Sequence, residues 1–380
     1  MASRDAGLAI LGAGIFAKEA HLPALAKLGS TVPVVKAVYS RSEKSAQDLS
    51  TAAAVTLHLD PPPSVYHDGD EASSLDALLA RSDISAVLVI LPITIQPSIV
   101  VKALAAGKHV LSEKPVAPDT VSGRKLINTY LSEYKPKGLI WRVAENWEAE
   151  PGYRAAAEVV HSGKIGKIVF FTARVINHID KDSKWYKTPW RTVPDYQGGF
   201  LLDGGVHTAA ALRTILPRGL THLSGFASLN KDYLAPHDTI HTISKAGSHF
   251  HGTVEMTFAS PTKSKAVADG ITITGTDGWV SIAIVSPAAG SDAPVIRTTI
   301  TTVERDEDSL KEIEKQEVTE EPMQGVAREI ESFFAALAGK DDGLGLGDPE
   351  NALQDVAFIE AALNSDGQVI DLQKLVDLEA

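Results

Sequence analysis

The chain has 380 residues, of which 44% are hydrophobic and 22% charged, with a formal net charge of -12 and no cysteine. That length suits two domains with a sizeable core, and the missing cysteine excludes disulfides, thiolate zinc sites, iron–sulfur clusters and a cysteine nucleophile. An acidic chain has no general attraction to nucleic acid or to an anionic membrane, so neither is an expected partner. No apolar stretch approaches the ~20 residues that a membrane helix needs. The start at Met1 also lacks a basic segment followed by an apolar run, so a cytoplasmic protein is expected.

The first part alternates short apolar runs with helical patterns. Leu8–Leu11, Val34–Tyr39, Ala86–Leu91, Lys108–Leu111 and Leu139–Val143 read as strands. Leu75–Leu79, Ile99–Ala106 and Gly123–Tyr134 read as helices. Strands that are apolar on both faces, with helices between them, predict a doubly wound parallel sheet over residues 1–146. The pattern then changes. Tyr153–His161 and Leu201–Leu216 read as helices, and Lys167–Val175 as a strand. Thr221–Ser228, Thr239–Ser244, Phe250–Phe258, Gly270–Thr274, Trp279–Ile284 and Val295–Thr302 come next as strands without intervening helices. That succession predicts an α+β domain over residues 147–380 with a large, mostly antiparallel sheet. Charge-dense Asp306–Glu321 reads as a solvated connector. Val326–Leu337 and Asn351–Leu363 read as closing helices, joined by the glycine-rich stretch Gly339–Gly347.

Gly12-Ala-Gly14-Ile15-Phe16-Ala17 follows the first strand and opens a helical pattern, which is the setting a dinucleotide-binding turn requires. Gly12 allows the tight turn, Gly14 allows close approach of a pyrophosphate, and Ala17 allows the helix to pack on the strand. Free N–H groups at the helix start then face the phosphates. A glycine turn after a strand can also be merely structural. The second strand ends in Ser40-Arg41-Ser42 and carries no acidic residue there to bind a ribose 2′-hydroxyl. An arginine flanked by two serines suits a 2′-phosphate, so NADP(H) is the expected cofactor. Otherwise Arg41 is an ordinary loop residue.

Two further clusters bear on chemistry. Glu113-Lys114-Pro115 lies at the carboxyl end of a strand, where open α/β sheets bind ligands; alone, it reads equally as a surface lysine before a turn. Asp203 and His207 stand four residues apart, on one face of a helix that also holds Gly204 and Gly205. A histidine beside a carboxylate suits proton transfer, and the glycines suit close approach of cofactor or substrate. The other reading is a capping aspartate with a packed histidine. Trp185, Tyr186 and Trp190 either form a wall for a sugar or small carbonyl compound, or are buried in the core. His237, His241, His249 and His251 lack a carboxylate grouping that would complete a metal site, and no metal is expected.

Together these pieces resemble the Gfo/Idh/MocA oxidoreductases over nearly the whole length, and most of all a fungal NADP-dependent branch. The matching segments include His21-Leu-Pro23, Leu91-Pro92, Glu113-Lys114-Pro115, Ala144-Glu-Asn146-Trp147, Trp190-Arg191 and Gly198–His207. The resemblance implies that Lys114, Asp203 and His207 form the catalytic group. It implies that Leu91, Pro92, Gln96, Glu113, Lys114, Asn146, Trp147, Trp190 and Arg191 join the glycine turn in holding the cofactor. It also implies a homodimer through an open sheet. Two departures weaken an inositol-like substrate: Gln96 stands where many members have histidine, and Ala210 where many have aspartate. A catalytically silent, ligand-sensing regulator of the same fold is the main alternative to an enzyme.

Overall fold

The computed structural model describes residues 7–265, 269–286, 294–305, 312–340 and 342–378. It divides into two compact units, residues 1–146 with 326–353, and residues 147–325 with 354–380.

The first unit is built on six parallel strands: β1 (Gly7–Leu11), β2 (Val35–Ser40), β3 (Ser64–His67), β4 (Ile84–Val89), β5 (His109–Glu113) and β6 (Trp141–Ala144), in the order β3-β2-β1-β4-β5-β6. Helices Leu22–Leu28, Glu43–Leu57, Leu75–Leu79, Gln96–Ala105 and Thr120–Thr129 connect them. This is the doubly wound Rossmann arrangement, and the order reverses at β1. β3 carries no fully buried residue, so its apolar signal is weak and the sequence pattern does not reveal it.

A continuous second domain from 147 to 380 is not what forms. Helix Gly325–Leu337 returns to the first unit, where Ala327, Ile330, Phe333 and Phe334 join a core that includes Leu8, Ile10, Val38 and Leu88. The spacing of those four residues makes one apolar helix face. Such a face shows that the helix is buried, but not against which sheet.

The second unit is a mixed nine-stranded sheet. Its strands are β7 (Ile168–Ile176), β8 (His222–Ser228), β9 (Thr239–Ala246), β10 (Phe250–Thr257), β11 (Gly270–Gly275), β12 (Gly278–Val285), β13 (Val295–Arg305), β14 (Glu312–Pro322) and β15 (Ile370–Asp371). The order is β14-β13-β12-β11-β7-β10-β9-β8-β15, and among the described residues only the β7–β10 pairing is parallel. Helix Pro151–His161 lies against this sheet so closely that a Cβ on Gly152 would stand 2.5 Å from Ile296.

The charged segment expected to be a connector is instead strand β14 over 312–322; residues 306–311 lie outside the described residues. It pairs with β13 along its full length, with Arg297 bonded to its cross-strand partner Glu320 at 2.8 Å. Nearly every side chain on it is exposed. It is the sheet's edge, and a row of Glu and Lys keeps an open edge from pairing with another chain. Charge density therefore marked edge protection, not irregular structure.

Candidate active site

In the first unit, Gly12 has φ +118°, and a Cβ there would lie 2.0 Å from the Ile90 carbonyl oxygen. Glycine is required at that position by the chain itself. Gly14 differs. It is outside the left-handed region, and a Cβ would meet nothing within 4 Å. Neither strain nor packing calls for glycine at Gly14, and its lack of a side chain leaves the backbone there open to a ligand. Ile15 and Phe16 are half-buried, and Ala17 is fully buried at the start of a π-helical turn, Ala17–His21, that runs into helix Leu22–Leu28.

At the end of β2, Ser40 is half-buried and Arg41 exposed. The Ser42 hydroxyl caps helix Glu43–Leu57 by accepting from the Ser45 N–H at 3.3 Å, so it has a structural task of its own. β3 adds a group that the sequence reading missed. Tyr39 donates its phenol O–H to Asp68 at 2.7 Å, and the Asp68 N–H donates to the Arg41 carbonyl at 3.2 Å. Burial, with the Asp68 carboxylate beside it, pushes the Tyr39 phenol well above its usual range. An acidic residue therefore does stand at this corner, supplied by the neighbouring strand.

Leu91 and Pro92 follow β4 and are half-buried. Gln96 is 1% exposed, and neither atom of its carboxamide has a hydrogen-bond partner. Such a group normally finds one. Glu113 ends β5 and is bonded to His21 at 2.7 Å, with both side chains buried. Lys114 comes next, half-buried, with a cis bond to Pro115.

In the second unit, helix Phe200–Ile215 carries Asp203 and His207. His207 stacks on Trp147 with ring centroids 5.3 Å apart and planes 20° from parallel. Asn146, just before Trp147 in the chain, is half-buried. Asp203 is bonded by the Arg191 Nε at 2.7 Å. The Arg191 guanidinium in turn lies over the Trp190 ring at 4.0 Å and the Trp185 ring at 5.3 Å. Trp185, Tyr186 and Trp190 are half-buried, so they are not core residues. Gly204 and Gly205 have a packing reason, not the ligand approach expected of them. A Cβ at Gly204 would stand 2.8 Å from the Phe258 ring, and one at Gly205 3.0 Å from Ile359. The helix is pressed onto its own unit there.

The description "Oxidoreductase family, NAD-binding Rossmann fold" matches residues 6–135, and "GFO/IDH/MocA C-terminal domain" matches residues 153–281. The chain belongs to the Gfo/Idh/MocA oxidoreductase family. Among its relatives, dehydrogenase FPY6 of Fusarium mangiferae is 41% identical over 74% of this chain and 78% of its own. A dTDP-3,4-didehydro-2,6-dideoxy-alpha-D-glucose 3-reductase of Streptomyces violaceoruber is 27% identical over 93% of both chains. An oxidoreductase of Thermotoga maritima has the same fold, with a TM-score of 0.80 and 30% identity over 98% of this chain and 99% of that one. As in that fold, the chain joins an NAD(P)-binding Rossmann sheet to a mixed sheet.

Within this family fold, Asp68 and His21 are the site-adjacent residues that sequence reasoning did not assign. Asp68 follows the weakest strand. His21 was visible only as part of the His-Leu-Pro segment, and its partner lies 92 residues away. No described helix is long and apolar enough to cross a membrane.

Proposed function

We propose that the chain transfers a hydride between NADP(H) and a carbonyl or hydroxyl group of a sugar, polyol or small carbonyl compound. The observation that carries this reading is a glycine turn open to a ligand at Gly14, in the same unit as a lysine at a strand's carboxyl end, Lys114. The unpaired Gln96 carboxamide supports it, because a nicotinamide or ribose group could satisfy that amide. When bound, the nicotinamide supplies or accepts the hydride. The Lys114 ammonium polarises the carbonyl oxygen, and the His207 imidazole gives or takes the proton. Arg191 holds Asp203 in place, and Trp185, Tyr186 and Trp190 offer faces on which a sugar ring can stack. The sugar-nucleotide reductase among the relatives favours a sugar carbonyl. The test monitors NADPH absorbance with ketosugars, aldehydes and diketones. Failure of all of them to oxidise NADPH, and of sugars and polyols to reduce NADP, would remove the proposal.

Cofactor preference comes from the corner at Ser40 and Arg41. A guanidinium pairs with a 2′-phosphate, and a charged hydrogen bond contributes about 1.5–3 kcal/mol. Arg41→Ala is therefore expected to weaken NADPH by that amount and to leave NADH unchanged. Asp68→Asn removes the negative charge at the corner that Asp68 shares with Tyr39 and the Arg41 backbone, and should shift the ratio further toward NADPH. Fluorescence titration with each nucleotide reads both effects. NADH binding as tight as NADPH in the unaltered protein would refute the preference.

The same reading includes a homodimer through the second sheet. Phe170 of β7, Phe226 of β8 and Ile243 of β9 are 41%, 63% and 62% exposed on one face. These three exposed apolar side chains stand among Thr, Ser, His and charged neighbours on that face, and exposed apolar groups of this size call for cover. Light scattering at micromolar concentration should give twice the chain mass, and Phe226→Lys together with Ile243→Lys should halve it. A monomer before any substitution rules the dimer out.

A further inference from the structure

His21 is an unexpected residue to find where it lies. It is 1% exposed and ends a π-helical turn, the five-residue-spaced turn Ala17–His21 with Leu22 N–H bonded to the Ala17 carbonyl. Such turns are rare and tend to occur at functional sites. Relative to an α-helix the extra residue rotates the next turn of helix by roughly 100°, the angle of one residue. In this setting His21 Nε2 lies 2.7 Å from the Glu113 carboxylate. The other ring nitrogen, Nδ1, is buried with no hydrogen-bond partner. A π-turn, a buried carboxylate and an unsatisfied ring nitrogen are three local costs in one place. Packing alone would have been served better by a leucine against a neutral residue.

The contacts of the pair explain what the arrangement does. On one side, the Phe16 ring of the phosphate-binding turn packs edge-on against His21, with centroids 5.4 Å apart. On the other side, Glu113 is the last residue of β5, and Lys114 is the next residue in the chain. Turn, ring, carboxylate and lysine are thus contiguous within one unit.

We propose that His21 is a positioning residue that, through Glu113, ties the strand end carrying Lys114 to the phosphate-binding turn. Filling the turn then orders the Lys114 segment, whether or not a nicotinamide is present. The inference rests on the NADP reading above and adds a role for two residues that do not touch the reacting atoms. The tie acts by restricting an opening of the chain, which hydrogen exchange reads directly.

The probe is 2′-phospho-ADP-ribose, which carries the pyrophosphate and 2′-phosphate of NADP and lacks the nicotinamide. In the unaltered protein it should slow amide exchange about tenfold both at residues 12–18 and at 112–118. His21→Leu alone leaves the Glu113 carboxylate buried and uncompensated, so it is paired with Glu113→Gln, which removes that charge. With the probe at a concentration that saturates the double variant, protection at 12–18 should be kept. Protection at 112–118 should fall to the ligand-free level. His21→Gln, which keeps a donor for Glu113, should restore most of it. Probe binding with full protection at 112–118 in the double variant would overturn the inference. No binding of the probe to the unaltered protein would overturn the NADP reading and the inference with it. The two failures are therefore told apart by whether the probe binds.

Discussion

Lys114→Met is expected to lower kcat by about 10²–10⁴, the usual range for a lost acid–base or polarising group, while the protein still binds NADPH. Methionine keeps most of the length of the side chain and loses its charge, so packing at the half-buried position survives. In the proposed reading the phosphates are held elsewhere, at the turn Gly12–Ala17 and at Arg41, so NADPH affinity should change little. His207→Ala should have a similar effect on kcat, with some added loss because its ring stacks on Trp147. The proposed function puts both groups on one reaction, and if that holds the double variant should fall short of the product of the single effects. Steady-state kinetics on the best substrate, beside direct NADPH titration, measures all of this. Near-normal turnover in both single variants would show that the catalytic assignment is wrong and would favour a ligand-sensing regulator on the same fold.

The second large effect is on stability. Arg213 bonds Asp355 at 3.0 and 2.9 Å and Glu148 at 2.8 Å. Both carboxylates are nearly inaccessible, at 3% and 2% exposure. They hold the guanidinium proton far more firmly than water does, against the opposing effect of burial. Arg213→Met takes away the cation that bonds this pair and leaves two buried negative charges. Breaking a buried ion pair from one side costs about 3–5 kcal/mol, because the partner stays desolvated. The urea midpoint should drop accordingly, with an unchanged slope. Adding Glu148→Gln and Asp355→Asn to Arg213→Met should recover much of the loss, since the two buried carboxylate charges are then removed with the cation. A loss below about 1 kcal/mol in the single variant, the level of an exposed pair, would show that water reaches the cluster.

Much of this protein was readable from its sequence, for local reasons. Two periodicities separate the parallel sheet from the antiparallel one, because strands buried on both faces are continuously apolar while half-buried ones alternate. The glycine turn was legible because strand, turn and helix are adjacent in the chain, and Gly12 is required by its own backbone angle. The lysine after β5, and the aspartate and histidine one helical turn apart, were legible for the same reason of short spacing. Tertiary structure decided what depends on distant partners. It placed Asp68 beside Arg41 through the pairing of β2 with β3. It gave Asp203 to Arg191, and it assigned Gly204 and Gly205 to close packing against Phe258 and Ile359. It also sent helix Gly325–Leu337 back to the first unit and turned a charged segment into the edge strand β14. An apolar face or a run of charge records that a surface is covered or open. Which element covers it is set by packing between residues far apart in the chain, and single-sequence patterns carry no record of that choice.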